Sequence, residues 1–342
     1  MHLRALAAAV LLAAVGSAPG EMFSYSNPLP FSYEAQGKER TEVRDPCIIH
    51  DGGRYYAIFT MWPFANRDEK HLGDVDMGSS PGIRMYSSPD LATWKDDGWL
   101  VRSSELPADC PYKHQFWAPE IHRVNGKFYL IFTASNWQAK TYHLQEGYYA
   151  FVGVADKVTG PYQHITKIPN GPCDTTLFTD EQGGFYLAMP RRDILVQKVD
   201  FSKLDQGVIT RTGPEVKVVT SADDLPGATS PEYLEGPWVE RVGKRYCLFY
   251  AELYKDDGYW TGVAYADSPL GPYTRDPERK VFFGGHLAVF DGPDQRKWVS
   301  YRRERANDGR GLMCVDPLDV DAQGRIRGSD TFMQRVTVAV AK

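Results

Sequence analysis

Past its first 20 residues the 342-residue sequence contains no apolar run approaching the roughly 20 residues that a membrane-crossing helix needs. A basic tract is also missing: 39 basic residues stand against 44 acidic ones, for a formal charge of −5. That balance excludes a polyanion-binding surface of the nucleic-acid type. The five cysteines, Cys47, Cys110, Cys173, Cys247 and Cys314, show none of the short paired spacings of a zinc site. Their odd number leaves at least one thiol free. A chain of this length can bury enough core to fold without crosslinks, so buried free thiols are the expectation for those in strand-like runs. Helical periodicity is scarce outside the N-terminus.

What the N-terminus does have is Arg4, an apolar run from Ala5 to Val15, and the small residues Gly16, Ser17 and Ala18. This is the layout of a secretory signal peptide. Residues 1–20 are therefore expected to be removed on export, leaving residues 21–342 as a secreted or periplasmic domain with no membrane attachment.

Aromatics make up 13% of the chain, with 31 glycines and 23 prolines, a composition that favours strands and turns. A glycine turn leading into an aromatic-rich strand recurs five times. The copies begin at Gly53-Arg54-Tyr55-Tyr56, Gly126-Lys127-Phe128-Tyr129, Gly184-Phe185-Tyr186, Gly243-Lys244-Arg245-Tyr246 and, more degenerate, Arg296-Lys297-Trp298. An apolar strand precedes each, so the unit is a hairpin. Intervals of roughly 50 to 75 residues leave room for two further strands per unit. The predicted fold is all-β: a five-bladed β-propeller with four-stranded blades around a central funnel.

In a propeller the innermost strands line the channel, and a residue opening such a strand faces the funnel mouth. Asp45 opens the first hairpin, Asp174 the third and Glu235 the fourth. Three carboxylates from three blades are thus expected to converge.

At these positions the sequence resembles glycoside hydrolase family 43. The matching motifs are Asp45-Pro46, Trp117-Ala118-Pro119-Glu120, Asp174 ahead of Phe178-Thr179-Asp180, Glu235-Gly236-Pro237 and Gly285-His286, in order along nearly the whole mature chain. The resemblance implies that Asp45 is the general base, Glu235 the general acid, and Asp174 the residue that orients Glu235 and raises its pKa. Like-charge repulsion from a nearby carboxylate would do the last of these. Thr175 stands where the family usually has Pro, and Glu120 where Asp is commoner. Acids on the first and fourth blades suit the wider spacing of an inverting mechanism. Glu232 is a weaker rival for the acid role.

Trp62, Trp117, Phe178, Trp238 and Trp260 are candidates for stacking on sugar faces, against the alternative that they are core. Glu120 and Arg302 are further substrate-contact candidates, and Arg302, Arg303 and Arg310 could equally form ladders between blades. The charged stretch from Pro63 to Gly78 is either a specificity loop or a solvated insertion. The resemblance places His286 below the sugar, where it could hold water or a calcium ion through waters; no cofactor is otherwise required.

The expected partner is an oligosaccharide or polysaccharide of plant or algal origin, from which a terminal arabinofuranose, xylose or galactofuranose-type sugar is released. Two alternatives stand beside it. One is an anhydrogalactosidase-like five-bladed hydrolase with His286 as acid, and the other a non-catalytic carbohydrate-binding propeller. Retaining fructosidases share Arg44-Asp45-Pro46, but their opening Trp-x-Asn-Asp-Pro motif is absent.

Overall fold

The computed structural model describes residues 22–35, 37–62, 80–136, 149–220, 234–254, 258–278, 280–304, 310–329 and 331–340. The segment from Pro63 to Gly78, Glu232 and residues 1–20 lie outside these.

Five antiparallel sheets follow one another along the chain, each built from consecutive strands. The first blade comprises Arg44–Asp51, Arg54–Thr60, Gly82–Ser88 and Lys95–Arg102, and the second His114–Val124, Lys127–Ser135, Tyr149–Ala155 and Gln163–Lys167. The third blade begins with Thr176–Thr179, Phe185–Pro190 and Ile194–Asp200, the fourth with Leu234–Val242, Arg245–Tyr254 and Gly258–Ala266. The fifth consists of Gly285–Asp291, Lys297–Glu304 and Gly311–Pro317. The five-bladed propeller is therefore the observed fold.

Each predicted glycine turn closes an inner hairpin. Gly52 and Gly53 connect Asp51 to its partner Arg54 with φ of 56° and 76°, and Asn125-Gly126 connects Val124 to Lys127 with φ of 50° and 79°. Two successive residues at positive φ make the turn whose twist matches that of the flanking strands. The second strands then bury aromatic and aliphatic side chains, as with Phe132, which stacks on its cross-strand partner Phe151 at 5.8 Å within the second blade.

Strand number departs from four per blade in three places. The third and fourth blades split their outermost strand into two short pieces, Thr210–Arg211 with Val216–Val219 and Thr274–Arg275 with Phe282–Phe283. The fifth blade is a three-stranded sheet, and the outer edge of its last strand is covered by the N-terminal segment. Leu29 N–H donates to Met313 O at 2.8 Å and Val43 N–H to Gly311 O at 2.9 Å. Two residues beyond Met313 on that strand the Asn27 side-chain amide acts as a surrogate peptide group, donating to Val315 O at 2.6 Å and accepting from Val315 N at 2.9 Å. The segment's own start, Met22–Ser26, pairs with Arg335–Ala339. An otherwise open sheet edge is thus closed by the two ends of the chain.

The ring itself closes where the fifth blade meets the first. Ser300 Oγ donates to Pro46 O at 3.0 Å and accepts from Ile48 N at 3.2 Å. This hydroxyl satisfies first-blade backbone groups at the point where Asp45 enters the funnel. All five cysteines are free thiols, four of them buried.

Candidate active site

The five innermost strands enter the funnel with one shared irregularity. Asp45, Ala118, Asp174, Gly236 and His286 all sit at positive φ, between 43° and 59°. Register shifts mark extra residues at Arg44/Cys47, Trp117/Glu120, Glu235/Trp238 and Gly285/Ala288. A bulge of this kind re-aims a side chain out of the sheet, and a non-glycine residue held left-handed costs on the order of 1–3 kcal/mol, so the device concentrates at functional sites. Here it turns Asp45, Asp174 and His286 towards one another from the first, third and fifth blades.

His286 Nδ1 donates to Asp45 Oδ1 at 3.0 Å. The other Asp45 oxygen, Oδ2, accepts from Thr60 Oγ1 at 2.6 Å, and Thr60 Oγ1 in turn accepts from the Ala118 amide at 2.7 Å. One hydroxyl at the end of the first hairpin therefore ties the Asp45 carboxylate to the second blade. Thr133 repeats this at the next seam, accepting from the Asp174 amide at 3.1 Å. Asp174 Oδ1 accepts from Cys173 Sγ at 3.2 Å, and the Gly236 amide faces Asp174 Oδ2 at 3.4 Å.

Gly236 is required twice over. Its φ is 52°, and a Cβ there would lie 2.7 Å from His286 Cγ. The Glu-Gly-Pro motif thus lets the imidazole pack against bare backbone beside Glu235. Glu235 Oε1 accepts from Tyr259 Oη at 2.5 Å.

The cluster separates the protonation states of its carboxyls. Burial pushes the Asp45 carboxyl up, but the charge and hydrogen bond of His286, the Thr60 hydroxyl and the Arg302 charge outweigh it and hold Asp45 well below the usual carboxylate range. Burial and then the Asp174 and Asp45 charges push Glu235 up to about 7, against the opposing pull of His286 and Tyr259. Asp174 is also raised, by burial first and by Asp45, with His286 opposing. His286 loses basicity to burial, yet Asp45, Asp174 and Glu235 together push it up to about 10. The site sets an ionised Asp45 beside the His286 imidazolium and keeps Glu235 protonated up to near neutrality, with the charge of Asp174 acting on both His286 and Glu235.

The remaining expected contacts distribute over three surroundings. Trp117 stays at the mouth, half-buried, with the Arg44 guanidinium 5.7 Å from its ring centroid. Arg302 also belongs here: it acts on Asp45, lies 5.7 Å from the Tyr259 ring centroid and pairs with Glu304. Glu120 sits two residues further down its strand than Ala118, where Thr176 Oγ1 donates to it at 2.6 Å and His122 Nε2 lies 2.9 Å away. Trp238 occupies the same deeper level, stacked on His122 at 4.6 Å. Phe178 is core, stacked on Tyr186. Trp62 packs outside the funnel against the N-terminal cluster beneath Arg40, and Trp260 lies edge-on to Phe283. Arg303 covers Phe283 and Phe332, and Arg310 pairs with Glu42.

Thr60, Thr133 and Tyr259 are site residues that sequence reasoning missed. Thr60 closes a copy of the repeat that Thr133 also closes, which is a signal available in the sequence. Tyr259 is one of 20 tyrosines and carries no such mark.

Among the described residues no three His, Cys, Asp or Glu side chains gather as a metal site. His286 Nε2 is buried without a hydrogen-bond partner among the described residues. With Nδ1 engaged by Asp45 and the ring charged, Nε2 bears a proton and suits an oxygen acceptor, water or a sugar hydroxyl, rather than a cation.

The profile of Glycosyl hydrolases family 43 matches residues 40–338. A β-D-galactofuranosidase of Aspergillus niger is 26% identical over 74% of this chain and 75% of its own. A xylosidase/arabinosidase of Humicola insolens is 24% identical over 84% of this chain, which spans 52% of that enzyme's length. Among solved structures, an endo-arabinase from Bacteroides thetaiotaomicron superposes with a TM-score of 0.62 at 23% identity, covering 82% of this chain and 95% of that one. With a profile match that runs from the start of the first blade into the C-terminal strand, this chain belongs to glycosyl hydrolases family 43.

Proposed function

We propose that the chain is a secreted, inverting, exo-acting glycosidase that removes a terminal arabinofuranose, xylose or galactofuranose-type sugar from a plant or algal glycan. The observation that carries the reading is the contrast between two carboxyls in one funnel. Asp45 is ion-paired with His286 and hydrogen-bonded by Thr60, whereas Glu235 is hydrogen-bonded by the neutral phenol of Tyr259 and faces the carboxylate of Asp174. Divergent environments of this kind assign the base and the acid.

Glu235 donates its proton to the glycosidic oxygen as the bond to the anomeric carbon breaks. A water on the opposite face attacks that carbon and passes a proton to Asp45, giving the inverted sugar. Asp45 then holds a proton and Glu235 is ionised; exchange with solvent restores both. Asp174 raises Glu235 by its charge. His286 holds Asp45 ionised and oriented, and its unpartnered Nε2 meets water or a sugar hydroxyl.

The pairing of His286 with Asp45 weighs against the histidine-acid alternative, because an imidazolium charged up to about 10 and already donating to Asp45 is a poor proton donor to a leaving group. A binding-only propeller would have no use for two carboxyls held in opposite protonation states. Residues 1–20 are the export signal in this reading, which mass spectrometry of the secreted chain's N-terminus tests.

The activity test is release of sugar from aryl arabinofuranoside, xyloside and galactofuranoside by the wild type, Glu235→Gln and Asp45→Asn, with proton NMR of the first-formed anomer. Turnover of one substrate with inversion, abolished in both variants, is the expected result. Retention of configuration, or an active Glu235→Gln on an unactivated glycoside, would overturn it.

A further inference from the structure

We infer that Tyr259 is a positioning residue that decides which oxygen of Glu235 carries the proton. The inference rests on Glu235 being the general acid. Tyr259 opens the third strand of the fourth blade, Gly258–Ala266, and reaches across the sheet to donate its hydroxyl to Glu235 Oε1 at 2.5 Å. The residue is 3% exposed, so its hydroxyl has no competing bulk water. Burial, followed by the adjacent Glu235 charge, raises the phenol well above its ordinary value, keeping it a neutral donor.

The surroundings of the ring are shaped for this contact. Gly285 leaves the gap that the ring fills: a Cβ there would stand 2.7 Å from Tyr259 Cε1 and 2.8 Å from Ala251 Cβ. The Tyr259 carbonyl accepts from the Gly284 amide at 2.7 Å, fixing the strand beneath the ring. The Arg302 guanidinium lies 5.7 Å from the ring centroid on the fifth-blade side. The family's Gly-His pair thus serves two catalytic groups, His286 directly and Glu235 through Tyr259.

A carboxyl that accepts a hydrogen bond on one oxygen carries its proton on the other. With Oε1 held by Tyr259, the proton resides on Oε2, and the leaving oxygen is protonated from there. Removing the phenol lets the proton sit on either oxygen and lets the carboxyl rotate. It also removes a donor that favours the ionised form, so the Glu235 pKa rises. The other groups acting on Glu235 are Asp174, Asp45 and His286 from their own blades, and all remain in place.

The experiment compares the wild type with Tyr259→Phe and with 3,5-difluorotyrosine incorporated at 259, on a series of aryl glycosides of graded leaving-group acidity and on the natural-type disaccharide. Tyr259→Phe is expected to lose about 10–100-fold in kcat on the poor leaving groups that need full protonation, and less than about 3-fold on the most activated aryl glycoside. The alkaline limb of kcat/KM should move up by about half to one pH unit. The fluorinated side chain, nearly the same size but a stronger donor, should move the limb down and leave folding unchanged. A uniform loss across all leaving groups, or a limb that stays put in both variants, would sink the inference. Glu235→Gln run in parallel separates the two claims. If it retains activity on poor leaving groups the acid assignment itself fails, and if it is dead while both 259 variants behave as wild type, only the role of Tyr259 fails.

Discussion

Asp45 and His286 meet across the seam between the first and last blades, Oδ1 to Nδ1 at 3.0 Å. The ion pair that keeps Asp45 ionised therefore depends on the ring being closed. Each partner supports the charge of the other.

Activity should fall as pH rises through about 7, where Glu235 loses the proton it must donate. On the acid side the limit lies well below the usual carboxylate range, because His286 and Thr60 hold Asp45 ionised there. Profiles of kcat/KM against pH check both limbs. In His286→Gln the acidic limb should shift up and kcat should fall by about 10²-fold or more.

The same carboxyl makes a prediction about stability. Glu235 has a folded pKa raised from 4.5 to about 7, so the folded state favours its protonated form. That contribution is complete below about pH 4.5 and is lost as pH rises through 7, an effect on the order of 3 kcal/mol for a buried group. Glu235→Gln should therefore melt higher than the wild type at pH 8, and the gap should close towards pH 5. Thermal unfolding of the two proteins across that range measures it.

Replacing Thr60 by Val should reduce kcat by about tenfold or more and destabilise the fold by about 1–3 kcal/mol. It strips a donor from Asp45 and leaves the Ala118 amide buried without its acceptor. Thr60→Ser should restore most of both. Denaturant unfolding with steady-state kinetics distinguishes this from a residue that merely packs.

Asn27→Ala should cost about 1–3 kcal/mol without altering the alkaline limb of the pH profile, since Asn27 serves the fifth-blade edge far from the carboxyl cluster. Chemical denaturation checks the loss and kcat/KM the neutrality.

The blade count and the three carboxyls are legible in the sequence because hairpin turns demand glycine or asparagine at fixed places. Gly52-Gly53 and Asn125-Gly126 print the repeat directly. The third acid could be read in the same way because Asp174 stands where Asp45 stands in its own copy. The cover on the fifth blade is not legible, because Asn27 imitates a peptide group with its side chain and no strand pattern results. Tyr259 escapes for a different reason: its partner, Glu235, is 24 residues away and the contact is set by sheet register, not by spacing. Phe178 and Trp238 could not be sorted from sugar-contacting aromatics in advance, because a ring four residues after Asp174 or three after Glu235 looks the same whether it faces the funnel or a neighbouring blade.

The left-handed residue at each strand entrance gives the mouth five equivalent stations on one fixed backbone. Four of them are taken by two acids, a histidine and the glycine that makes space for it. The fifth holds Ala118, a buried residue at φ 43° whose amide donates to Thr60. The backbone kink is thus separate from the group it carries, since the same left-handed station holds a carboxylate, an imidazole, a methyl group or bare backbone in different blades.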